Sequence, residues 1–158
     1  MAVVHRVTAR VVPVSRTGEV LLLQDQDPAE PGLLRWGTIG GAVEPGESLV
    51  DAALREMREE TGILAEPGLL GPEFHHDSGE FAWNGVSYTY DSTFFTIRLE
   101  SDVAVTFEHL EPAEVGNVLA ARWWLPDDLE IDGTAVVPYL PDILRAAVTA
   151  ASATEGHQ

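Results

Sequence analysis

The sequence contains no cysteine. It can therefore form neither disulfides nor thiolate metal sites, and it cannot use a cysteine nucleophile. Long hydrophobic runs are also missing, because the longest apolar stretches, at 20–23 and 135–140, are far too short to cross a bilayer. The N-terminal residues lack a basic region followed by an apolar stretch, so no signal peptide is expected. From these absences we expect a cytoplasmic protein.

Lysine is absent as well, so the nine basic side chains are all arginine and face 26 acidic ones, for a net charge of −17. Such a chain repels nucleic acid and anionic membranes, whose binding depends on basic residues that displace counterions. It also repels anionic small molecules unless cations lie between them. We therefore expect a small-molecule substrate, no nucleic acid partner and no membrane partner. The oligomeric state stays open, a homodimer included.

The length of 158 residues and the apolar fraction of 45% fit a single compact domain over residues 1–158. Alternation and β-branched residues predict strands at 7–14, 20–24, 70–77, 80–84, 86–99 and 117–125. A closing helix is predicted from Leu140 onward. Residues 36–46 contain four glycines and are predicted to form an irregular, tightly turned backbone. Strands interspersed with two helices predict a mixed α/β sandwich.

The other predicted helix carries most of the chemistry. Ser48 is placed as its N-cap, and Gly62 lies where a glycine ends a helix. Glu56, Glu59 and Glu60 stand at i, i+3 and i+4, so their carboxylates converge on one face. Each like-charge pair at this spacing costs about 0.2–0.5 kcal/mol without a counterion. The pattern indicates either a solvated surface or a site for a hard cation, and oxygen ligands favour Mg²⁺ or Mn²⁺.

The stretch 41–63, GAVEPGESLVDAALREMREETGI, resembles the Nudix box. The fixed positions of that motif are met by Gly41, Glu47, Arg55, Glu56, Met57, Glu59, Glu60, Gly62 and Ile63. The resemblance implies a Nudix-type α/β/α sandwich with a mixed β-sheet between helices. It also implies a metal-dependent pyrophosphohydrolase that cleaves a phosphoanhydride bond in a nucleoside diphosphate linked to another moiety. The alternative is a non-catalytic Nudix-like nucleotide-binding or sensor domain, which the retained box acids disfavour.

The resemblance also assigns roles to individual residues. It implies that Mg²⁺ or Mn²⁺ is bound by the box glutamates Glu56, Glu59 and Glu60. It implies a further ligand in the carbonyl of Gly40, and a supporting role for Glu47 and Arg55, which orient the metal-binding face. The general base stays open between Glu59 or Glu60 and an acid of a later loop. In that loop, Glu111 and Glu114 are the candidates for a base or a metal ligand.

Candidates for substrate binding come from two predicted strands. Tyr88, Tyr90 and Arg98 share one face of the strand at 86–99, where they could meet a ring and a phosphate. Arg10, on the first strand, is a weaker candidate for a phosphate contact. All four could equally be ordinary sheet residues. The segment HHDSGEF lacks the proline that ADP-ribose-preferring family members often carry after the box, which disfavours that substrate.

Overall fold

The computed structural model describes residues 2–155, so the ends of the predicted 1–158 domain lie outside the described residues. Its strands are β1 (Val4–Val14), β2 (Val20–Gln26), β3 (Leu34–Gly37), β4 (Ile39–Ala42), β5 (Leu70–Trp83), β6 (Val86–Arg98) and β7 (Val118–Trp124). Its helices are α1 (Leu49–Thr61), α2 (Pro126–Asp132) and α3 (Leu140–Glu155), with a short 3₁₀ turn at Pro67–Leu69. No helix among residues 2–155 has the length and apolarity of a membrane span.

The seven strands form one mixed sheet in which β3, β2, β1, β6 and β5 lie side by side. β1 runs parallel to β6 over its whole length, and the other pairs are antiparallel. β1 and β2 pair only at Val14 and Val20. Beyond that pair β1 is hydrogen-bonded to β4, whereas β2 is hydrogen-bonded to β3 and β7. Strands β1 and β2 therefore separate beyond Val14 and Val20, and a cavity opens between them.

Hydrophobic cores cover both faces of the sheet. Val12, Val14 and Leu22 lie on the face that packs against α2 and α3. Val11 and Leu21, their neighbours in sequence, lie on the opposite face against α1. This alternation follows from the two-residue period of a strand, and each such buried side chain contributes about 1.5–3 kcal/mol through the hydrophobic effect. The layers confirm the predicted α/β/α sandwich with a mixed sheet between helices.

The structure differs from the sequence prediction in three places. Residues 36–46 are not irregular throughout, because β4 pairs with β1 from Thr8–Ala42 to Val11–Ile39 and β3 pairs with β2. The runs at 70–77 and 80–84 form one strand, β5. A third helix, α2, was not predicted. Its seven residues, which begin at a proline, are too few to show a helical period.

Helix α1 has the ends that the sequence predicted. The Ser48 hydroxyl accepts the N–H of Asp51 at 3.0 Å, and the helix stops at Gly62, whose N–H donates to the Arg58 carbonyl. Ala53 and Met57 on α1 are fully buried against the sheet. The apolar face fixes the rotation of the helix about its axis. It thereby turns the glutamates at its border toward β4.

Candidate active site

Two glycines of β4 allow the backbone to lie directly against α1. Gly40 has φ of 146°, a conformation that side-chain-bearing residues rarely adopt, and a Cβ there would collide with the Ala9 carbonyl. Its N–H donates to Glu60 Oε1 at 2.7 Å. A Cβ on Gly41 would lie 2.6 Å from Glu56 Oε1. The glycines therefore create the space that the two carboxylates occupy.

Arg55 joins the loop before α1 to the acidic face of the helix. Its Nε and Nη2 donate to the two carboxylate oxygens of Glu47 at 2.8 and 2.9 Å, and Nη2 also donates to the Ala42 carbonyl at 2.9 Å. Its Nη1 donates to Glu56 at 3.1 Å and to Glu59 at 3.2 Å. The bond from Arg55 lowers the pKa of Glu47 and in turn raises the pKa of Arg55. Charge-assisted, bidentate bonds of this kind hold the acids in place.

Three carboxylates, two from α1 and one from a distant loop, meet beside β4. Glu56, Glu60 and Glu114 each offer an oxygen, and these oxygens lie within 4.8 Å of one another. Burial raises the pKa of Glu56 to about 7, against the opposing effect of Arg55. Burial and the Glu114 carboxylate raise the pKa of Glu60 well above its ordinary value. This is an electrostatically costly arrangement for a site without a cation.

Two further acids border this cluster. Glu59 is half-buried, points to Arg55, and has a pKa raised chiefly by burial. Glu111 is exposed, and its N–H donates to Glu114 Oε1 at 3.1 Å, so the loop backbone orients the Glu114 carboxylate. The charges of Glu111 and Glu114 both act on Glu59. The late loop and α1 thus meet at one site.

A cavity of about 270 Å³ lies next to the acids, where β1 and β2 separate. Arg10 lines it and donates through Nη1 to the carbonyls of Gly40 at 3.1 Å and Thr38 at 3.3 Å. Tyr90 also lines it, and its hydroxyl lies 3.0 Å from that of Tyr139. Arg10 therefore connects the cavity to the backbone oxygen that the sequence singled out as a ligand.

Asp25 lines the same cavity and was not among the residues selected from the sequence. Burial raises its pKa to about 6, with Arg10 opposing this and Glu114 adding to it. The pairing of β2 with β7 shifts register here: Gln24 is paired with Ala120 and Asp25 with Val118, so the extra residue, Leu119, belongs to β7. The only sequence signal for Asp25 is an acid that closely follows the apolar run of β2.

The remaining substrate candidates lie apart from the cavity. Tyr88 stacks on Phe81 with ring centroids 4.8 Å apart, and the Arg6 guanidinium lies 5.0 Å from its ring centroid. Arg98 donates to the Ser15 carbonyl at 2.7 Å, near the β1–β2 turn. Arg98 lies eight positions after Tyr90 on β6, a span of about 26 Å at about 3.3 Å per residue. The structure does not bring Arg98 to the acidic cluster.

Comparison with known proteins assigns the chain to a family, since the NUDIX domain model matches residues 4–142. The chain belongs to the Nudix family. It is similar to an RNA pyrophosphohydrolase of Erythrobacter litoralis, with 26% identity over 91% of this chain and 88% of the relative.

Solved Nudix structures share the fold. The MutT protein of Methanosarcina mazei Go1 superposes with a TM-score of 0.69 at 20% identity, over 92% of this chain and 94% of that one. The dihydroneopterin triphosphate pyrophosphohydrolase of E. coli also gives 0.69, at 22% identity, over 92% and 98%. The chain is thus a Nudix hydrolase that acts on phosphoanhydride bonds. The family match confirms the resemblance seen in the sequence.

Proposed function

We propose that this hydrolase uses Mg²⁺ or Mn²⁺ to cleave a nucleoside diphosphate linked to another moiety, a nucleoside triphosphate being one such substrate. One observation supports the metal above all others. Glu114, which the sequence places 54 positions after Glu60, shares a site with Glu56 and Glu60, with their oxygens within 4.8 Å. A merely solvated helix face would have no reason to collect a third carboxylate from a distant loop.

The chemistry of the residues fits a hard dication. All donors are oxygens, which suits Mg²⁺ and Mn²⁺. Three come from carboxylates, and one is the carbonyl of Gly40, which also accepts from Arg10 Nη1 at 3.1 Å while the Gly40 N–H donates to Glu60. Burial raises the pKa values of Glu56 and Glu60, so keeping both carboxylates ionised is unfavourable unless a cation lies beside them, which supports the proposal. We propose Glu56, Glu60 and Glu114 as ligands, with the Gly40 carbonyl. Glu59 is not one of the three acids whose oxygens lie within 4.8 Å of one another, so the proposed set does not include it.

The protein residues then divide the work of hydrolysis. When bound, the cation offsets the charge on the diphosphate and lowers the pKa of the attacking water. Glu59 or Glu111 accepts a proton from that water while the water oxygen forms its bond to phosphorus. The anhydride P–O bond breaks in line with the attack, and the leaving phosphate carries away the electron pair. Arg55 keeps Glu56 and Glu47 fixed throughout, so their placement is not lost during turnover.

The cavity supports a nucleotide as the substrate. Its wall combines Arg10 with aromatic rings, among them Phe81, Trp83 and Tyr90, which suit a charged phosphate and a stacked base. The net charge of −17 favours a small nucleotide over a long RNA, although the Erythrobacter relative is named for RNA. The E. coli relative is named for a pterin triphosphate, a small molecule.

The test is a panel assay with Mg²⁺ or Mn²⁺. The substrates are nucleoside triphosphates, nucleotide sugars, ADP-ribose, dinucleoside polyphosphates and a 5′-triphosphorylated RNA, and the products are identified by chromatography. We expect metal-dependent release of a nucleoside monophosphate. Glu60→Gln should remove most turnover, whereas Glu66→Gln, which neutralises an exposed acid, should not.

The alternative sensor role gives a different result in the same panel. A sensor would bind a nucleotide with measurable affinity and release no product with either metal. If Glu60→Gln hydrolyses the best substrate as fast as the wild type, the proposed role of the cluster is wrong. Separate Glu59→Gln and Glu111→Gln variants identify the base, because loss of the true base removes the acidic limb of the pH–rate profile.

A further inference from the structure

The late loop, residues 99–117 between β6 and β7, is anchored to the end of α1. The N–H of Thr106 donates to the carbonyl of Thr61 at 2.9 Å. Thr61 is fully buried and directly follows Glu60 in the chain. The next loop residue, Phe107, packs against the hydrophobic core beside α1. The loop is therefore fixed at Thr106 to the same helical turn that presents Glu60.

Gly62 lies directly against this anchor. A Cβ on Gly62 would collide with Thr106 Cγ2, whereas the carbonyl oxygen and the Cβ of Thr106 would lie at 3.5 and 3.6 Å, which are ordinary contact distances. The Thr106 side chain has little freedom to rotate away, because it is β-branched and its Oγ1 accepts the N–H of Glu108 at 3.3 Å. A side chain at position 62 would therefore displace the loop and not the Thr106 methyl group alone.

A series of turns connects Thr106 to Glu114. The four residues 107–110 form the first turn, in which the N–H of the fourth donates to the carbonyl of the first at 3.5 Å. In the second turn the Glu114 N–H donates to the Glu111 carbonyl at 2.8 Å, and the Glu111 N–H donates back to Glu114 Oε1 at 3.1 Å. The Glu114 carbonyl then accepts the N–H of Val118, the first residue of β7. A displacement of Thr106 is therefore transmitted to the Glu114 carboxylate.

We infer that Gly62 positions a metal ligand: its lack of a side chain lets Thr106 lie against the end of α1, and this contact sets the position of Glu114 relative to Glu60. Gly62 also ends the helix with φ of 75°, a conformation that glycine adopts without strain. The two roles are separable, because the helix end depends on φ whereas the loop contact depends on the missing Cβ. Gly62 is thus a positioning residue that acts through Glu114. This inference rests on the proposed function, since Glu60 and Glu114 are ligands of the proposed metal site.

Mn²⁺ binding measured by electron paramagnetic resonance tests the contact with two alanine variants that carry similar backbone strain. Gly133 ends α2 as Gly62 ends α1, with φ of 74°, but a Cβ on Gly133 would meet no atom within 4 Å. Gly62→Ala and Gly133→Ala should both lower the midpoint of urea unfolding, because alanine is strained at positive φ. Only Gly62→Ala should also weaken Mn²⁺ binding, by at least about tenfold.

Two results of this comparison would overturn the inference. One is a Gly62→Ala variant that binds Mn²⁺ with wild-type affinity, and the other is an equal loss of affinity in Gly133→Ala. If Gly62→Ala does not fold, Gly62→Asn replaces it in the comparison, because asparagine adopts a positive φ more readily and carries the same Cβ.

Thr106→Ser provides a rescue, because serine lacks the Cγ2 that the new Cβ would strike and keeps the hydroxyl that accepts the Glu108 N–H. Thr106→Ser alone should bind Mn²⁺ like the wild type. Combined with Gly62→Ala, it should restore most of the lost affinity, while the urea midpoint stays low because the backbone strain at position 62 remains. A double variant that binds Mn²⁺ as weakly as Gly62→Ala would overturn the inference, since the loss would then arise from the strained helix end.

Failure of the proposed metal site remains distinguishable from failure of this inference. If the wild type binds no Mn²⁺, the proposed function fails, and backbone amide chemical shifts measured by NMR in EDTA still test the position of the loop. Gly62→Ala should shift the amide resonances of Glu111 and Glu114, and the added Thr106→Ser substitution should return them toward the wild-type values. Shifts confined to the residues around position 62 would refute the inference.

Discussion

In the absence of metal, the protein should lose stability as the pH rises, and Glu56 should account for much of the loss. Burial raises the pKa of Glu56 from 4.5 to about 7 in the folded chain, whereas the unfolded chain keeps the ordinary value. Between these two values the folded state binds more protons than the unfolded state, so the free energy of unfolding falls as the pH increases. The loss begins above the unfolded pKa and is complete above about pH 7.

The size of this effect follows from the shift itself. A rise from 4.5 to about 7 corresponds to about 3 kcal/mol, with 1.36 kcal/mol for each pH unit. Glu60 titrates in the same direction, so the total loss should be larger. Urea unfolding in EDTA between pH 5 and pH 8 measures it. Glu56→Gln should reduce the pH dependence by about 2–3 kcal/mol, and Glu66→Gln should leave it unchanged.

Mg²⁺ should reverse the trend, because its binding requires ionised carboxylates and should stabilise the wild type more at pH 8 than at pH 5. A metal-free wild type whose stability is constant over this range would refute the reasoning. The same holds for a Glu56→Gln variant that retains the full wild-type pH dependence. Either result would mean that the glutamate is adequately solvated or paired, and that no cation is needed there.

Three further predictions concern residues that shape the site. Arg55→Lys removes the bidentate contact with Glu47 and should lower kcat about 10- to 100-fold in steady-state kinetics while the fold persists. Gly41→Ala places a methyl group 2.6 Å from Glu56 Oε1 and should weaken Mg²⁺ binding by calorimetry, with a circular dichroism spectrum like that of the wild type. Ser48→Ala removes the N-cap of α1 and should cost about 1 kcal/mol in urea unfolding without a change in kcat. The assigned role would be contradicted by an unchanged kcat in Arg55→Lys, by an unchanged Mg²⁺ affinity in Gly41→Ala, or by an unchanged free energy of unfolding in Ser48→Ala.

The local parts of the fold and site could be predicted from the sequence. Helix α1 carries its own period, cap and terminal glycine within fifteen residues, 48–62, so both its ends were visible. The spacing of Glu56 and Glu60 also placed these two on one face, whereas Glu59 lies outside the cluster that they form with Glu114. Strand β6 likewise shows its alternation locally. The predicted loop candidates included Glu114, which the structure places beside Glu56 and Glu60.

Features that depend on distant contacts could not be predicted. Strand β4 contains two adjacent glycines, so its sequence resembles that of a loop. It becomes a strand through its pairing with β1, in which Arg10 lies opposite Gly40, thirty positions later in the chain. Asp25 lines the cavity that opens where β1 and β2 separate, and this separation depends on contacts between distant strands. Arg98 shares a strand face with Tyr90, but the length of that strand keeps it from the site. Alternation identifies a face of a strand and cannot say which end of it meets a substrate.

The most direct test of the central claim is Mn²⁺ binding measured by electron paramagnetic resonance. The wild type should bind Mn²⁺, and Glu114→Gln and Glu60→Gln should each weaken binding at least about tenfold while Glu66→Gln binds normally. Glu114 is decisive because only the fold brings it to α1. A wild type that binds no Mn²⁺, or a Glu114→Gln variant with wild-type affinity, would contradict the account.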